Sequence, residues 1–192
     1  MNSNKTLFMI EVAIFTALAL ALDMIPFLQF KIWAQGGSIS FAMIPIFIVA
    51  FRWGLKGGLT AGFLWGILQI PFGGYVLVPL QGLIDYAVAF TVLGFAGIFA
   101  AKIKDAVKHG NKKAYFTYIM LGVLLGSILR MAAHLIAGAV FFAKFMPAGW
   151  NNIWIYSLVY NASYMVPSFI ICTVAIFFLF HKQPKSLLHA AA

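Results

Sequence analysis

The sequence predicts an all-α integral membrane protein of six transmembrane helices with both termini in the cytoplasm. Three observations carry this reading. Of the 192 residues, 64% are apolar and only 9% are charged, whereas a soluble domain carries about 25% charged residues. Too few charges remain to clothe a water-facing surface. The apolar residues fall in long runs, most of them reaching the ~20 residues that a helix needs to cross a bilayer. Finally, the basic residues behind the formal charge of +9 lie between the runs, as a positive-inside bias places them, rather than in a nucleic-acid footprint. At this length a single transmembrane domain over residues 1–192 is expected.

The runs are Leu7–Leu28, Ile39–Phe51, Gly58–Ile70, Val76–Ala101, Tyr115–Phe142 and Ile153–Phe180. The first has no small-residue cleavage site before a polar chain and reads as a retained span. The second and third are short, and Pro45 interrupts the second, so a re-entrant hairpin competes with two full spans. Arg52 and Lys56 lie at the turn between them. A hairpin ending at mid-membrane would bury both charges at a few kcal/mol each, about the cost of a central Lys or Arg, which favours two short spans. Lys5, Arg52, Lys56, Lys102, Lys104, Lys108, Lys112, Lys113, Lys182 and Lys185 then share one side, against Lys31 and Lys144 on the other. That asymmetry puts both ends in the cytoplasm. The halves share no duplicated motif, unlike secondary transporters built from inverted repeats. Cys172, the single cysteine, sits within a run and reads as a small buried hydrophobe, with no metal site implied.

Charged residues inside spans are functional candidates by default. Asp85 and Arg130 are the clear cases, joined by His134 and Asn161. At a rise of ~1.5 Å per residue, Asp85, His134 and Asn161 lie roughly 12–13 Å from the outer ends of their helices, and Arg130 roughly 18 Å. Three helices thus place polar groups at one level in the outer half of the membrane. Arg130, His134 and Gly138 share a helix face, as do Tyr156, Tyr160 and Tyr164. Gly138, without a side chain, admits a ligand or another backbone. The competing reading is an Asp85–Arg130 ion pair that only joins two helices. A pocket of this kind would offer negative charge from Asp85, aromatic faces from Trp33, Tyr86 and Tyr156, and donors and acceptors from His134 and Asn161. It suits a small aromatic cation with ring nitrogens. On the first span, Ala13, Ala17 and Ala21 form a small-residue face fit for close helix packing, internal or with a partner.

Together these residues resemble the thiamine-specific substrate-binding component of energy-coupling factor (ECF) transporters, the ThiT family. The likeness covers nearly the whole chain. It rests on Glu11-Val-Ala13 with Ala17, Ile44-Pro45-Ile46 leading to Phe51-Arg52-Trp53-Gly54-Leu55, and Asp85-Tyr86 before Leu93-Gly94. It continues in His134-Leu-Ile-Ala-Gly138 and Tyr156-Ser-Leu-Val-Tyr-Asn161. The resemblance implies a bacterial plasma-membrane protein that binds thiamine from the extracellular side, with thiamine as ligand and no cofactor. It implies substrate contacts at Trp33, Asp85, Tyr86, Arg130, His134, Gly138, Tyr156 and Asn161, and an outer-loop residue, a possible gate, at Tyr75. It further implies docking through Ala13 and Ala17 onto a transmembrane coupling protein that works with two cytoplasmic ATPase subunits. The chain departs from the family pattern in having Asp85 where Glu stands, Arg130 where Lys stands and Phe142 where Trp stands. The ligand class spans thiamine, its phosphates and pyrimidine precursors.

No GxxxxGK[ST], HExxH or GxSxG pattern is present, so the chain is not expected to be an enzyme, and ATP hydrolysis would fall to partner subunits. The alternative class is a free-standing proton-coupled secondary transporter for thiamine or a related aromatic cation, with Asp85 or His134 carrying the proton.

Overall fold

The computed structural model describes residues 3–33 and 36–184, with only the backbone at 3, 27, 31, 33 and 36. Helix α1 (Ser3–Met24) leads to a short 3-10 turn at Pro26–Leu28 and an antiparallel hairpin of β1 (Gln29–Trp33) and β2 (Gly36–Ser40). Four helical elements follow: α2 (Met43–Gln69), α3 (Pro79–Lys108), α4 (Lys112–Phe141) and α5 (Ile153–Lys182). These five elements are long and apolar enough to cross a membrane. Large apolar side chains face outward along them, including Ile14 and Leu18 on α1, Ile128 and Ile136 on α4, and Val166 and Phe178 on α5. Only hydrocarbon makes that outward face favourable, so the protein is a multi-pass membrane protein.

The first run ends earlier than its hydropathy suggests, at Met24 rather than Leu28, because Pro26 has no N–H to continue a helix. The connection expected over residues 29–38 is the β-hairpin, which takes Ile39 out of the second run.

The second and third runs belong to one helical element broken at Gly54, whose φ of 71° and ψ of −162° are non-helical. Glycine reaches this backbone region without steric cost. The two arms fold back on each other. A β-carbon placed on Gly58 would lie 2.7 Å from that of Ala50, although eight residues of straight helix span about 12 Å. Contacts with α1 give the arms their direction. Arg52 reaches Glu11, the Thr16 hydroxyl donates to the Ala61 carbonyl at 3.4 Å, and Gln69 reaches Asp23. The second arm therefore runs alongside α1 in the same sense. Ser40, at the start of the first arm, also meets Asp23.

The turn between the arms is anchored at Arg52 and Trp53, while Leu55 and Lys56 are exposed. Arg52 Nε donates to Glu11 at 2.8 Å, its second nitrogen pairs with the other carboxylate oxygen, and Trp53 Nε1 donates to Glu11 at 2.7 Å. Both charged side chains are 13–14% exposed. A fork-to-fork pair of this kind is geometrically exacting, and removing either member strands a charge in a poorly hydrated place. Lys104 caps the Arg52 carbonyl at 2.8 Å. Arg52 thus serves as a structural lock.

Helix α3 is irregular. A π-helical turn occupies Leu83–Val88 and a tight 3-10 stretch Val92–Phe99. It lies against the second arm of α2 along Gly54, Gly58, Gly62 and Gly66. β-Carbons at these last three positions would collide with the α3 backbone at Gly94, Phe90 and Tyr86 respectively. Backbones this close replace side-chain packing with van der Waals contact, the usual glue of helices in lipid.

Adding a side chain to this seam should therefore cost more than adding one elsewhere. Gly58→Val should lower stability by about 1–3 kcal/mol or more, the usual penalty of overpacking. Thermal unfolding in detergent should show a clear fall in Tm for Gly58→Val and almost none for Leu121→Val, whose side chain is exposed.

Candidate ligand-binding site

A cavity of about 240 Å³ opens between the hairpin and helices α2–α5. Tyr75, Phe142 and Phe145 gather along one part of its lining, with ring centroids 6.3 Å apart for Tyr75–Phe142 and 6.1 Å for Phe142–Phe145. Its far end reaches Met165 and Ser168 on α5.

Every residue expected from sequence to touch a ligand lines this cavity, save one. Asp85 and Tyr86 come from α3, Arg130, His134 and Gly138 from α4, and Tyr156 and Asn161 from α5. Trp33 closes β1, where its backbone pairs with Gly36, but its side chain lies outside the described residues. Tyr75 also lines the cavity, and the Tyr86 hydroxyl sits 2.6 Å from the Tyr75 amide nitrogen, from which it accepts. That bond ties the 70–78 loop to α3.

The π-helical turn sets the position of the acid. It carries Asp85 and Tyr86 together, and such widened turns re-aim side chains that a regular helix would bury or face outward. One turn earlier, Gln81 is almost fully buried and donates to Asp85 Oδ2 at 2.6 Å, while its own carbonyl oxygen accepts from the Leu77 amide at 2.8 Å. Asp85 Oδ1 is 2.8 Å from His134 Nδ1.

Asp85 and Arg130 do not pair directly. Arg130 Nε lies 3.2 Å from His134 Nε2. A guanidinium N–H only donates, so Nε2 accepts and the ring proton sits on Nδ1, directed at Asp85. The three form one chain, Arg130 to His134 to Asp85, and the simple ion pair is replaced by a bridged one. The imidazole and carboxylate side chains are 14% and 15% exposed. The Arg130 guanidinium lies over the Phe90 ring at 4.2 Å and the Trp65 ring at 5.2 Å, where cation–π attraction offsets part of its lost hydration.

The α5 wall is built differently. Asn161 Nδ2 donates to the Ser157 carbonyl at 2.8 Å, and its Oδ1 accepts from the Tyr164 hydroxyl. Ser157 Oγ crosses to the Leu135 carbonyl on α4 at 3.0 Å. A β-carbon at Gly138 would overlap that Ser157 hydroxyl. Gly138 therefore serves first as the crossing point of α4 and α5, and the close approach foreseen for it is between helices. Tyr156, Tyr160 and Tyr164 all line the cavity.

Sequence reasoning missed several lining residues. Asp23 is the most consequential, since it adds a second carboxylate. Its signal was a stripe on α1, Val12, Thr16, Ala19 and Asp23, spaced at 4, 3 and 4 residues, the period of one helix face. Trp65 and Phe90 also line the cavity but lie in uniformly apolar runs that do not distinguish them. The α1 alanines fall on the opposite side. Ala13, Ala17 and Ala21 are exposed while Val12, Thr16 and Ala19 are buried, so that face is not packed within the chain.

Taken together, a multi-pass helical bundle with a partly enclosed cavity, walled by aromatic rings and holding a few oriented polar groups, has the form of a binding protein for a small ligand. The comparisons agree and narrow it. The profile of the family described as thiamine transporter protein (Thia_YuaJ) matches residues 9–188, and the chain belongs to that family. It is 48% identical over 189 residues to the thiamine transporter ThiT of Bacillus subtilis (strain 168), covering 97% of both chains. It is 35% identical over 190 residues to the thiamine transporter ThiT of Lacticaseibacillus paracasei, covering 96% of this chain and 92% of that one. The solved structure of ThiT from Listeria monocytogenes superposes with a TM-score of 0.88 at 28% identity, over 95% of this chain and 98% of that one.

The bridged chain makes His134 the hinge of the site. His134→Leu should leave an Asp85 oxygen and an Arg130 N–H without partners, costing about 1–3 kcal/mol of stability. His134→Gln, which can both donate and accept, should recover part of that loss. Parallel thermal unfolding of the two ligand-free variants in detergent checks the order.

Proposed function

We propose that the protein is the high-affinity thiamine-binding component of an ATP-driven ECF uptake system in the bacterial plasma membrane. The observation that carries this reading is the charge balance of the cavity. Its described lining holds two carboxylates, Asp23 and Asp85, against one guanidinium, Arg130, with His134 engaged as a neutral ring. An enclosed site with a net negative charge and aromatic walls favours a small aromatic monocation. Thiamine joins an aminopyrimidine to a cationic thiazolium ring. In this proposal Asp85, His134, Tyr156 and Asn161 meet its polar edges, Arg130 steadies the first two, and Trp33 and Tyr86 supply ring faces. Gly138 lets Ser157 of α5 close against α4 beside the ligand, and Tyr75 with Phe142 closes the mouth as a gate.

The topology belongs to the same proposal. The two antiparallel arms of α2 count as separate spans, which gives six, and the positive-inside bias puts both termini in the cytoplasm. The hairpin end of the cavity then faces outside, where substrate arrives. The exposed Ala13/Ala17 face of α1 docks on a transmembrane coupling protein, and two cytoplasmic ATPase subunits drive release. The flatness of that face supports docking, because small residues let a partner backbone approach closely. Proton-coupled transport fits the site less well. Both His134 nitrogens are engaged, so an added proton would have to displace Arg130.

Thiamine titration of the purified protein, followed by tryptophan fluorescence, tests the reading. Binding tighter than micromolar is expected, and micromolar or weaker binding would overturn it. Asp85→Asn should weaken thiamine by well over about tenfold, since it removes a desolvated charge and turns a donor toward His134. Replacing Ala13 and Ala17 with Trp should abolish cellular uptake while leaving the dissociation constant unchanged. Loss of binding in that variant would show that the alanine face serves internal packing.

A further inference from the structure

Asp23 occupies a position that the functional reading above does not explain. It lies on the protein-facing stripe of α1, one residue before that helix ends at Met24, and it lines the same cavity as Asp85. Two neutral groups hold its carboxylate. Gln69 Nε2, at the end of α2, donates to Oδ2 at 2.6 Å, and Ser40 Oγ, at the end of β2, to Oδ1 at 3.2 Å. Ser40 Oγ also accepts from the Ala42 amide at 3.0 Å, so the hydroxyl is fixed rather than free to rotate away. Three chain segments thus converge to orient one acid side chain.

That acid has no ion-pair partner among the described residues. Among the described residues, Arg130 is the one Lys or Arg side chain in the cavity lining. Its hydrogen bond goes to His134, and it forms no direct ion pair with Asp23 or Asp85. One guanidinium neutralises one of the two carboxylates. The surplus negative charge sits in a partly enclosed site within a membrane protein, where an unpaired ion costs several kcal/mol by general estimates. Neutral donors such as Ser and Gln hold a carboxylate in place without cancelling its charge.

The two acids also differ in what they can still offer. Asp85 is gripped by His134 and Gln81 and belongs to the chain that begins at Arg130. Asp23 has no such relay. We infer that Asp23 is the counter-charge for the cationic ring of the ligand, and that it sets the preference of the site for a cation over a neutral molecule of the same shape. The inference rests on the thiamine-binding reading and divides its labour. Asp85 recognises hydrogen-bonding edges through its fixed chain, and Asp23 recognises charge.

The test uses the full-length protein in detergent with two probes, thiamine and its neutral isostere in which a thiophene replaces the thiazolium ring. The quantity read is the ratio of their dissociation constants in wild type, Asp23→Asn, Asp23→Glu and Asp85→Asn. Wild type should prefer the cation. Asp23→Asn should lower that preference by about tenfold or more, as expected when one member of a desolvated charge pair is neutralised, by weakening thiamine far more than the isostere. Asp23→Glu should retain the preference, and Asp85→Asn should weaken both probes together.

An unchanged ratio in Asp23→Asn, or an equal loss for both probes, would overturn the inference and make Asp23 a structural tie between α1, the hairpin and α2. Should Asp23→Asn fail to fold, Asp23→Glu decides: a collapsed ratio with the charge retained and isostere binding intact would overturn it equally. Wild-type protein that binds neither probe would overturn the thiamine reading itself, an outcome distinct from either of these.

Discussion

The glycine seam between the second arm of α2 and α3 is the constraint on which the rest of the structure depends. Gly54, Gly58, Gly62 and Gly66 recur every four residues and meet the α3 backbone from Tyr86 to Gly97. In lipid no hydrophobic effect draws two apolar helices together, so close backbone contact has to supply the attraction. The seam has a second consequence. Backbones this close leave little freedom for α3 to rotate about its axis, and that rotation decides where Asp85, Tyr86 and Phe90 point. The π-helical turn at Leu83–Val88 sits at the end of the seam, where the register of α3 must change from packing against glycines to lining a cavity.

The polar core of the site is one hydrogen-bonded sequence rather than a set of independent ligands. Arg130, held over Phe90 and Trp65, fixes His134, which together with Gln81 fixes Asp85. Buried polar networks specify a geometry only when each member is satisfied, since a half-satisfied one is costlier than an apolar core. Here the bonds that hold Asp85 and His134 are made by the chain's own side chains. Preorganisation of this kind lowers the ordering cost of binding, and suits a protein proposed to capture a scarce solute.

Much of this was legible in the sequence, and the failures have definite physical causes. Charges stranded in apolar runs identified Asp85, Arg130 and His134, because lipid makes such residues expensive unless they serve a purpose. Helical rise alone assigns Asp85 and His134 a similar depth, and the two side chains meet at 2.8 Å. The direct Asp85–Arg130 pair did not survive, because helical spacing places residues on a face without saying which of several polar groups stands between two others. The break at a single glycine was hidden for a related reason: hydropathy registers the dip at Arg52–Lys56 as a loop, whereas Glu11, far off in sequence, satisfies Arg52 within the fold. Asp23 lies close to a helix end, where a charge reaches the interface cheaply, so hydropathy does not single it out. Its place on the Val12–Thr16–Ala19 stripe was the stronger signal.

That stripe bears on how a small bundle could report an occupied site to a partner. α1 has two faces with different obligations. One carries Thr16 and Asp23 against α2 and the cavity, and the other presents Ala13, Ala17 and Ala21 outward. A cation attracted to Asp23 would act on α1 itself, at the junction with the hairpin and the end of α2. A ligand shifts a conformational equilibrium only as far as it interacts differently with the two states. On the proposed function, α1 is the element that touches both ligand and partner, so a change in its tilt on binding is the shortest physical route by which occupancy could alter docking. Asp85 has no comparable route, since its partners lie on α3 and α4, away from the alanine face.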